Sequence, residues 1–282
     1  MAPRRASLAE IRGFYARQLA SASRSLDPRL LRVFESIPRE AFLPPGPWKI
    51  LVAETETYLE TPSADPAYLY QNTLVALDAD RRINTGEPLL HASWIGAVAP
   101  QPGETVTHIG AGAGYYSAIL SMLVLPNGRL NAFELHAELA EAARRNLLPF
   151  ENASVVAGNA VSLPLPPSDL IYVNAGVIAP PAQWLSALRP GGRMIFPWRP
   201  SPAIGLAAIV TRVASGFQFR PFRPAWFVPC VGASDSAASD IAPDHVAAWR
   251  TRSLHLTSEQ PPNESATAVY GHVWFSAEPL PS

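Results

Sequence analysis

The chain has 282 residues, of which 48% are hydrophobic and 16% are charged, so it can bury a full α/β core and is not a disordered chain. Its net charge is −1 and its arginines are scattered, which argues against a nucleic-acid partner. A single cysteine, Cys230, excludes an internal disulfide and a cysteine-based zinc cluster. No run approaches the ~20 apolar residues of a membrane span and no signal-like region opens the chain, so we expect a cytoplasmic protein without a membrane partner.

The first predicted region, residues 1–100, is a helical lid together with a substrate segment. Apolar residues between Leu8 and Leu19 recur at helical spacing, and a second amphipathic helix is predicted after Asp27-Pro28. Residues 44–87 are predicted to be irregular and rich in proline at first, and then contain the aromatic cluster Tyr58, Tyr68 and Tyr70. A helix is then predicted from Pro88 to about Val98. This order of elements favours a lid over a cofactor pocket.

The second predicted region, residues 101–232, alternates between strand and helix patterns. The pattern predicts strands at 105–109, 130–133, 154–156, 170–173 and 193–196, and helices at 114–123, 137–146 and 181–188. Such alternation predicts a doubly wound, mostly parallel Rossmann-like sheet that binds ligands at the carboxyl ends of its strands. Strands at Ile204–Val213 and Trp226–Cys230 are predicted to close the sheet in antiparallel fashion.

A small C-terminal addition, residues 233–282, is predicted to follow. It begins with a linker rich in serine, alanine and aspartate that runs to Asp240. A short helix near His245–Arg250 and a strand at Val269–Phe275 complete it.

A three-glycine turn is the most informative feature of the sequence. The apolar run Thr105–Ile109 enters a turn that contains Gly110, Gly112 and Gly114, and an apolar-periodic helix follows. Glycine lets backbone amides approach a ligand closely, and the helix N-terminus favours an anionic group. The dinucleotide fingerprint would need glycine at the position of Tyr115, so a packed pyrophosphate is disfavoured.

Polar residues follow the next two predicted strands. Glu134 ends one of them, where a carboxylate can accept both hydroxyls of a ribose, and Asn159 follows the other, where its amide could bond the adenine edge. Together with the glycine turn, these residues predict S-adenosylmethionine as the cofactor. Alternatively, Glu134 could be a solvated acid at a helix start and Asn159 could cap its own loop.

Five motifs occur in a characteristic order: Ile37–Pro44, His108–Leu120, Ser168–Tyr172, Leu188–Pro197 and Phe227–Pro229. Through these motifs the chain resembles the protein-L-isoaspartate O-methyltransferases, which are class I methyltransferases, over roughly residues 28–232. Tyr115 after the third glycine is more specific to this family than the glycines are.

The resemblance implies a cofactor, a substrate and a set of contacts. The cofactor is S-adenosylmethionine, and the reaction methylates the α-carboxyl group of isoaspartyl residues in damaged proteins or peptides, which starts their repair. The implied cofactor contacts are Pro88, Leu90, Gly110, Ala111, Gly112, Gly114, Tyr115, Glu134, Leu135, Asn159 and Ala160. No metal is implied, and the six histidines show no metal-ligand spacing.

The chain departs from the family in the substrate segment, Asn84–Ala92. Its proline and alanine keep the family's register, which puts Gly86 where the family has its active-site serine. Thr85 could supply a hydroxyl from the neighbouring position, so Thr85 and Glu87 are the candidate catalytic residues, although both could simply form a turn and a helix cap. In this register, Gly86→Ser should preserve or raise activity on an isoaspartyl peptide.

Two histidines have structural alternatives to a functional role. His91 lies one turn into the predicted helix, where it could contact substrate or could be a core histidine. His108 stands where the family has an acidic residue before the glycine turn, and its simplest interpretation is a strand-end residue. Asn159 and Ala160 replace the family's Asp-Gly.

The leading hypothesis is an O-methyltransferase that acts on a carboxylate. A carboxylate is already ionised at pH 7, so methyl transfer needs no general base. Two alternatives stay open. One is a divergent methyltransferase that acts on a small molecule or a dedicated peptide, and the other is a non-catalytic module that binds the cofactor.

Overall fold

The computed structural model describes residues 6–52, 55–234 and 241–281. The chain divides into two compact units, residues up to 103 with 111–157, and residues 104–110 with 158 onward. Among the described residues, no helix is both long and apolar enough to cross a membrane. Most of the predicted linker, from residue 235 to 240, lies outside the described residues.

The helices of the first unit follow the predicted pattern. They are α1 (Leu8–Ser23), α2 (Pro28–Ser36), α3 (Pro88–Val98), α4 (Tyr115–Leu123) and α5 (Ala137–Asn146). Helix α1 starts at a capping box formed by Ser7 and Glu10, and the Asp27 side chain caps α2 ahead of its first-turn proline. These side chains satisfy backbone N–H groups that a helix start leaves without partners.

A small antiparallel sheet occupies much of the segment that we expected to be irregular. Its strands are β1 (Lys49–Val52), β2 (Thr57–Glu60), β3 (Leu74–Asp78) and β4 (Ile83–Asn84), in the order β2-β1-β3-β4. Trp48, Leu69 and Val75 form its buried core. The expectation for residues 44–87 was wrong because each strand is too short to show a period, and pairing across the sequence stabilises all four.

The first unit also contains a parallel pair of strands. They are β6 (Arg129–Glu134) and β7 (Ala153–Ala157), which pair in register from Leu130 with Ala153 to Glu134 with Ala157. Helix α5 lies between them in the sequence, so the predicted strand-helix-strand alternation is confirmed.

The second unit begins with the other core strands. They are β5 (Thr105–Ile109), β8 (Ser168–Val173), β9 (Leu188–Ser201), β10 (Ile204–Val213) and β11 (Gly216–Pro224), with helix α6 (Ala182–Ala187) between β8 and β9. Strands β5, β8 and β9 are parallel, whereas β9, β10 and β11 are antiparallel. A parallel core with an antiparallel extension was predicted, and the register confirms it.

Two strand predictions in this unit were wrong. Trp226–Cys230 is not a strand; in this segment Pro229 forms an isolated bridge with Gly176. The strand after β10 is instead β11, because a tight turn before Gly216 reverses the chain at once and alternate residues Phe217 and Phe219 are buried. The alternation of aromatic and polar residues in this segment could have predicted β11 from the sequence.

The C-terminal addition forms helix α7 (His245–Arg250), as predicted, and three strands. The strands are β12 (Ser253–Leu256), β13 (Ala266–Val269) and β14 (Val273–Ser276). The single strand predicted at Val269–Phe275 is therefore wrong, because the chain turns at Gly271 and pairs β13 with β14. Within this unit the strand order is β13-β14-β12-β11-β10-β9-β8-β5.

Candidate active site

The glycine turn has a backbone that only glycine adopts easily. Gly110, Gly112 and Gly114 have φ angles of +76°, +56° and +95°, all in the left-handed region. The Gly114 N–H donates to the Ala111 carbonyl at 3.0 Å, and α4 begins at the next residue. The turn therefore leads directly into a helix N-terminus. This is the arrangement predicted for backbone that a ligand can approach closely.

Glu134 is held against this turn by its carboxylate. The side chain is buried, and it accepts the Gly112 N–H at 2.7 Å and the His136 N–H at 3.0 Å through different oxygens. Burial raises the pKa of Glu134, while these backbone N–H groups oppose the shift. Each carboxylate oxygen has a further lone pair, so the group fits two ribose hydroxyls. Leu135 beside it is 40% exposed and offers an apolar surface.

The predicted contacts of the second unit are Gly110, Asn159 and Ala160. The Asn159 side chain accepts the Val161 N–H at 2.9 Å and donates to the Val231 carbonyl at 3.2 Å, so here it stabilises its own loop. The Ala160 carbonyl accepts the Trp184 indole N–H at 2.9 Å. Their contacts with the cofactor stay predictions.

Asn174 follows β8 and was not singled out from the sequence. Its side-chain amide donates to His108 Nε2 at 2.8 Å, and its Oδ1 is buried without a hydrogen-bond partner. Burial lowers the pKa of His108 to about 3, so the imidazole is neutral at pH 7. A polar residue directly after the apolar run Leu170–Val173 was the signal, since it stands at the carboxyl end of a parallel strand.

Thr85, a candidate catalytic residue, has a hydroxyl that is engaged by the protein. Its Oγ1 accepts the Val75 N–H at 3.1 Å and an Arg39 N–H at 3.3 Å, and it lies 3.4 Å from the Gly86 carbonyl oxygen. These bonds fix residues 83–88, which we call the acceptor loop because the family resemblance predicts the substrate segment there. A catalytic role for Thr85 stays a prediction.

Glu87, the other candidate, stands at the start of α3. Its Oε1 accepts the Asn72 side-chain N–H at 2.6 Å, and its own side chain makes no capping bond. Asn72 Oδ1 instead accepts the Leu89 N–H at 2.9 Å, so α3 is capped from outside the helix. The role of Glu87 also stays a prediction.

Arg39 is a functional candidate that the sequence reasoning missed, although it lies in the first family motif. Its side chain is only 2% exposed, and it donates to the carbonyls of Leu69, Gln71 and Thr73 as well as to Thr85. Across the described part of the chain, no carboxylate pairs with it. The acceptor loop therefore rests on a buried, uncompensated positive charge.

Tyrosine rings surround the Arg39 guanidinium. Its central carbon lies 5.9 Å from the centre of the Tyr15 ring and 5.8 Å from that of Tyr115. Burial raises the pKa of Tyr115 and Tyr116 well above the usual value, so both are neutral at pH 7 and do not cancel the charge.

The remaining predicted cofactor contacts lie in the first unit. Tyr115 is buried with its ring edge-on to Phe42 at 5.5 Å, and Pro88 and Leu90 are buried in the first turn of α3. Ala111 is buried in the glycine turn. Their cofactor contacts stay predictions.

A serine at position 86 would be strained and would displace the His91 ring. The φ angle of Gly86 is +75°, and a Cβ atom at this position would lie 2.2 Å from His91 Nε2. The expectation that Gly86→Ser preserves activity stays a prediction, and the structure adds that the His91 ring would have to move and the backbone would be strained.

Comparisons with known proteins agree on one family. The sequence model of the protein-L-isoaspartate(D-aspartate) O-methyltransferases matches residues 16–235. A protein-L-isoaspartate O-methyltransferase from Methylorubrum populi is 33% identical over 208 residues, which cover 72% of this chain and 86% of the relative.

Solved structures confirm the predicted fold class. A protein-L-isoaspartate O-methyltransferase with 25% identity has a TM-score of 0.67 over 79% of this chain and 67% of its own. A Plasmodium falciparum structure of this enzyme type, solved with S-adenosyl-L-homocysteine, has a TM-score of 0.61 at 16% identity, covering 78% of this chain and 97% of its own.

These matches confirm the family, the cofactor and the enzyme class predicted from the sequence. Strands β12 to β14 lie beyond the residues that the family model covers. The chain belongs to the protein-L-isoaspartate(D-aspartate) O-methyltransferase family and is an S-adenosylmethionine-dependent methyltransferase.

Proposed function

We propose that this chain methylates the free carboxylate of isoaspartyl residues in proteins or peptides. Family membership supports the reaction, and one observation, the buried guanidinium of Arg39 under the acceptor loop, supports an anionic acceptor. A buried charge that is hydrogen-bonded but not paired with an opposite charge is still unfavourable, so a carboxylate bound at this loop would offset part of that cost. The cytoplasmic location expected from the sequence belongs to the same proposal.

The chemistry requires alignment more than acid–base catalysis. S-Adenosylmethionine supplies an activated methyl group when bound. A carboxylate oxygen forms the new O–CH₃ bond in line as the methyl–sulfur bond breaks, and no proton has to be removed. The chain then contributes by orienting the acceptor and excluding water, which is worth ~7–11 kcal/mol when near-attack geometry is enforced.

Side chains of the first unit have distinct roles in this proposal. Glu134 binds the ribose hydroxyls, and the exposed Leu135 packs against the adenine ring. Thr85 and Glu87 keep the acceptor loop in place through their bonds with Arg39 and Asn72. The absence of a required general base is consistent with a site in which these groups position rather than transfer protons.

One experiment tests the proposal directly. The purified chain is incubated with methyl-labelled S-adenosylmethionine and either an isoaspartyl peptide or its normal aspartyl twin, and base-labile methyl ester is counted. We expect label on the isoaspartyl peptide alone. No label on either peptide, with cofactor binding confirmed by calorimetry, would contradict the proposal.

A second candidate is a methyltransferase for another carboxylate, either a small molecule or a dedicated peptide. One observation favours it. At the position of the family's serine this chain has Gly86, and the His91 imidazole lies where a side chain at that position would be. Methyl transfer to the isoaspartyl peptide alone would reject this candidate. Methyl transfer to any substrate would also exclude a non-catalytic binding module.

A further inference from the structure

A β-hairpin of the small sheet contacts the glycine turn of the same unit. The hairpin consists of β3, β4 and the four residues between them, 79–82. The Leu77 side chain of β3 lies against Gly112, since a Cβ atom built on Gly112 would lie 2.9 Å from Leu77 Cδ1. Gly112 is one of the two residues whose N–H groups bond the Glu134 carboxylate. The hairpin therefore reaches one side of the predicted ribose site.

The tip of the hairpin contacts the other side of that site through Arg81. Its guanidinium donates to His136 Nδ1 at 3.3 Å and forms an ion pair with Glu138 in the first turn of α5. His136 is the second residue whose N–H bonds the Glu134 carboxylate, at 3.0 Å. The hairpin thus contacts both of the residues that hold this carboxylate in place.

The tip has a defined conformation that directs Arg81 to these partners. Asp78 Oδ1 accepts the N–H groups of Asp80 and Arg81 at 3.1 and 3.0 Å, and Asp78 Oδ2 lies 3.5 Å from Arg81 Nε. The neighbouring Arg82 pairs instead with Glu56, at 2.9 Å. Two adjacent arginines therefore have different partners, and Arg81 is the one of the two that contacts the segment after Glu134.

We infer that Arg81 is a positioning residue for S-adenosylmethionine, because it fastens the hairpin to the turn that aims the Glu134 carboxylate. A binding group that is fixed before the ligand arrives loses less freedom when the ligand binds, so the affinity is higher. The inference rests on the ribose role that the proposed function gives to Glu134, and it does not depend on which acceptor is methylated.

The contribution of Arg81 should be moderate and sensitive to salt. The side chains of Arg81 and Glu138 are 52% and 60% exposed, and an exposed ion pair changes an equilibrium constant by about fivefold at most. Salt screens exposed charges, so the contribution should shrink at ~1 M NaCl. Because related complexes differ mostly in how fast the ligand leaves, the dissociation rate should carry most of the change.

Binding measurements on matched variants test the inference. Arg81→Gln and Glu138→Gln each remove one partner of the ion pair, and the charge swap Arg81→Glu with Glu138→Arg restores an ion pair of reversed direction. Arg82→Gln is the matched control, since it is the same substitution one residue further along the same turn. The probes are S-adenosylhomocysteine and adenosine, which has the ribose but lacks the amino-acid portion.

For each variant, affinity is measured by calorimetry, the dissociation rate by stopped flow, and folding by thermal unfolding. We expect Arg81→Gln and Glu138→Gln to bind S-adenosylhomocysteine about threefold more weakly, and adenosine more weakly by the same factor. The charge swap should restore part of the loss, whereas a purely structural loss would grow with two substitutions. Arg82→Gln should stay close to the native affinity.

Several results would overturn the inference. These are native affinity in Arg81→Gln, an equal loss in Arg82→Gln, a charge swap weaker than either single variant, and a loss with S-adenosylhomocysteine alone. If one single variant does not fold, the other decides. Native affinity in Glu134→Ala would contradict both the ribose role and this inference. An isoaspartyl peptide that is not methylated, together with the expected binding values, would contradict the proposed acceptor alone.

Discussion

The glycine turn and the acceptor loop are built by different means. The turn depends on its own backbone, with three glycines at positive φ and one nearby carboxylate, Glu134, that accepts the Gly112 N–H. The acceptor loop depends on side chains from elsewhere in the sequence, since Arg39 bonds Thr85 and Asn72 caps the adjoining helix. The glycine turn therefore depends on local backbone geometry, whereas the acceptor loop depends on side chains that are distant in the sequence.

Replacing Arg39 should have the largest effect, because it removes bonds to residues 69–73 as well as to the acceptor loop. Arg39→Met leaves the carbonyls of Leu69, Gln71 and Thr73 without their donor, at ~1–3 kcal/mol for each group that stays unsatisfied, so the free energy of unfolding should fall by at least ~3 kcal/mol. Chemical denaturation measures the loss. Arg39→Lys keeps the charge but has fewer donors, so its free energy of unfolding should lie between those of Arg39→Met and the native chain. A native unfolding free energy in Arg39→Met would contradict the network.

Replacing Glu134 should affect the cofactor side alone. Glu134→Ala removes an acceptor for two ribose hydroxyls, at ~1.5–3 kcal/mol for each charged hydrogen bond, so S-adenosylhomocysteine affinity should fall at least tenfold. Titration calorimetry measures it, with the isosteric Glu134→Gln as the matched variant. Native affinity in Glu134→Ala would refute the ribose role.

The pH dependence of stability should report the buried His108. Its pKa in the folded protein is lowered to about 3 by burial, below the ~6.5 of an unfolded chain, so the unfolded state binds the proton more readily. The stabilising contribution is complete above pH ~6.5 and is lost as the pH falls towards 3, by up to ~1.4 kcal/mol per pH unit. Unfolding free energies between pH 7 and 4 measure this slope.

A matched variant isolates that slope from the carboxylates that titrate nearby. His108→Gln, which does not titrate in this range, should lower stability at pH 7 but remove the histidine's share of the decline. An identical decline in the variant and the native chain would show that His108 takes up no proton on unfolding.

The smallest expected effect is on stability, and it distinguishes the roles of Asn72 and Glu87 at the start of α3. Asn72→Ala removes the acceptor for the Leu89 N–H and should cost ~1 kcal/mol of stability, as for other lost caps. Glu87→Gln keeps a partner for Asn72 and should cost less. Thermal unfolding compares the two. A large loss of activity in stable Glu87→Gln would instead indicate a catalytic role for Glu87.

The helices and core strands were predictable because their signals are local. Apolar residues at helical spacing mark α1 to α3, and the capping residues Ser7 and Asp27 stand beside the helices that they start. The small sheet of β1 to β4 and the division between β13 and β14 were missed. Their strands are four residues or so long, and pairing with distant partners decides them.

By itself, the sequence determined the glycine turn, Glu134 after its strand, and through them the cofactor, because backbone sterics and periodicity act within a few residues. The contacts that hold the acceptor loop were decided only by the tertiary structure. Arg39 reaches partners 30 to 46 residues away, and a side chain at Gly86 would meet both a strained backbone and the His91 ring of α3. Steric contacts and the pairing of charges depend on distances between side chains that are far apart in the sequence. Those distances are set only when the chain has folded.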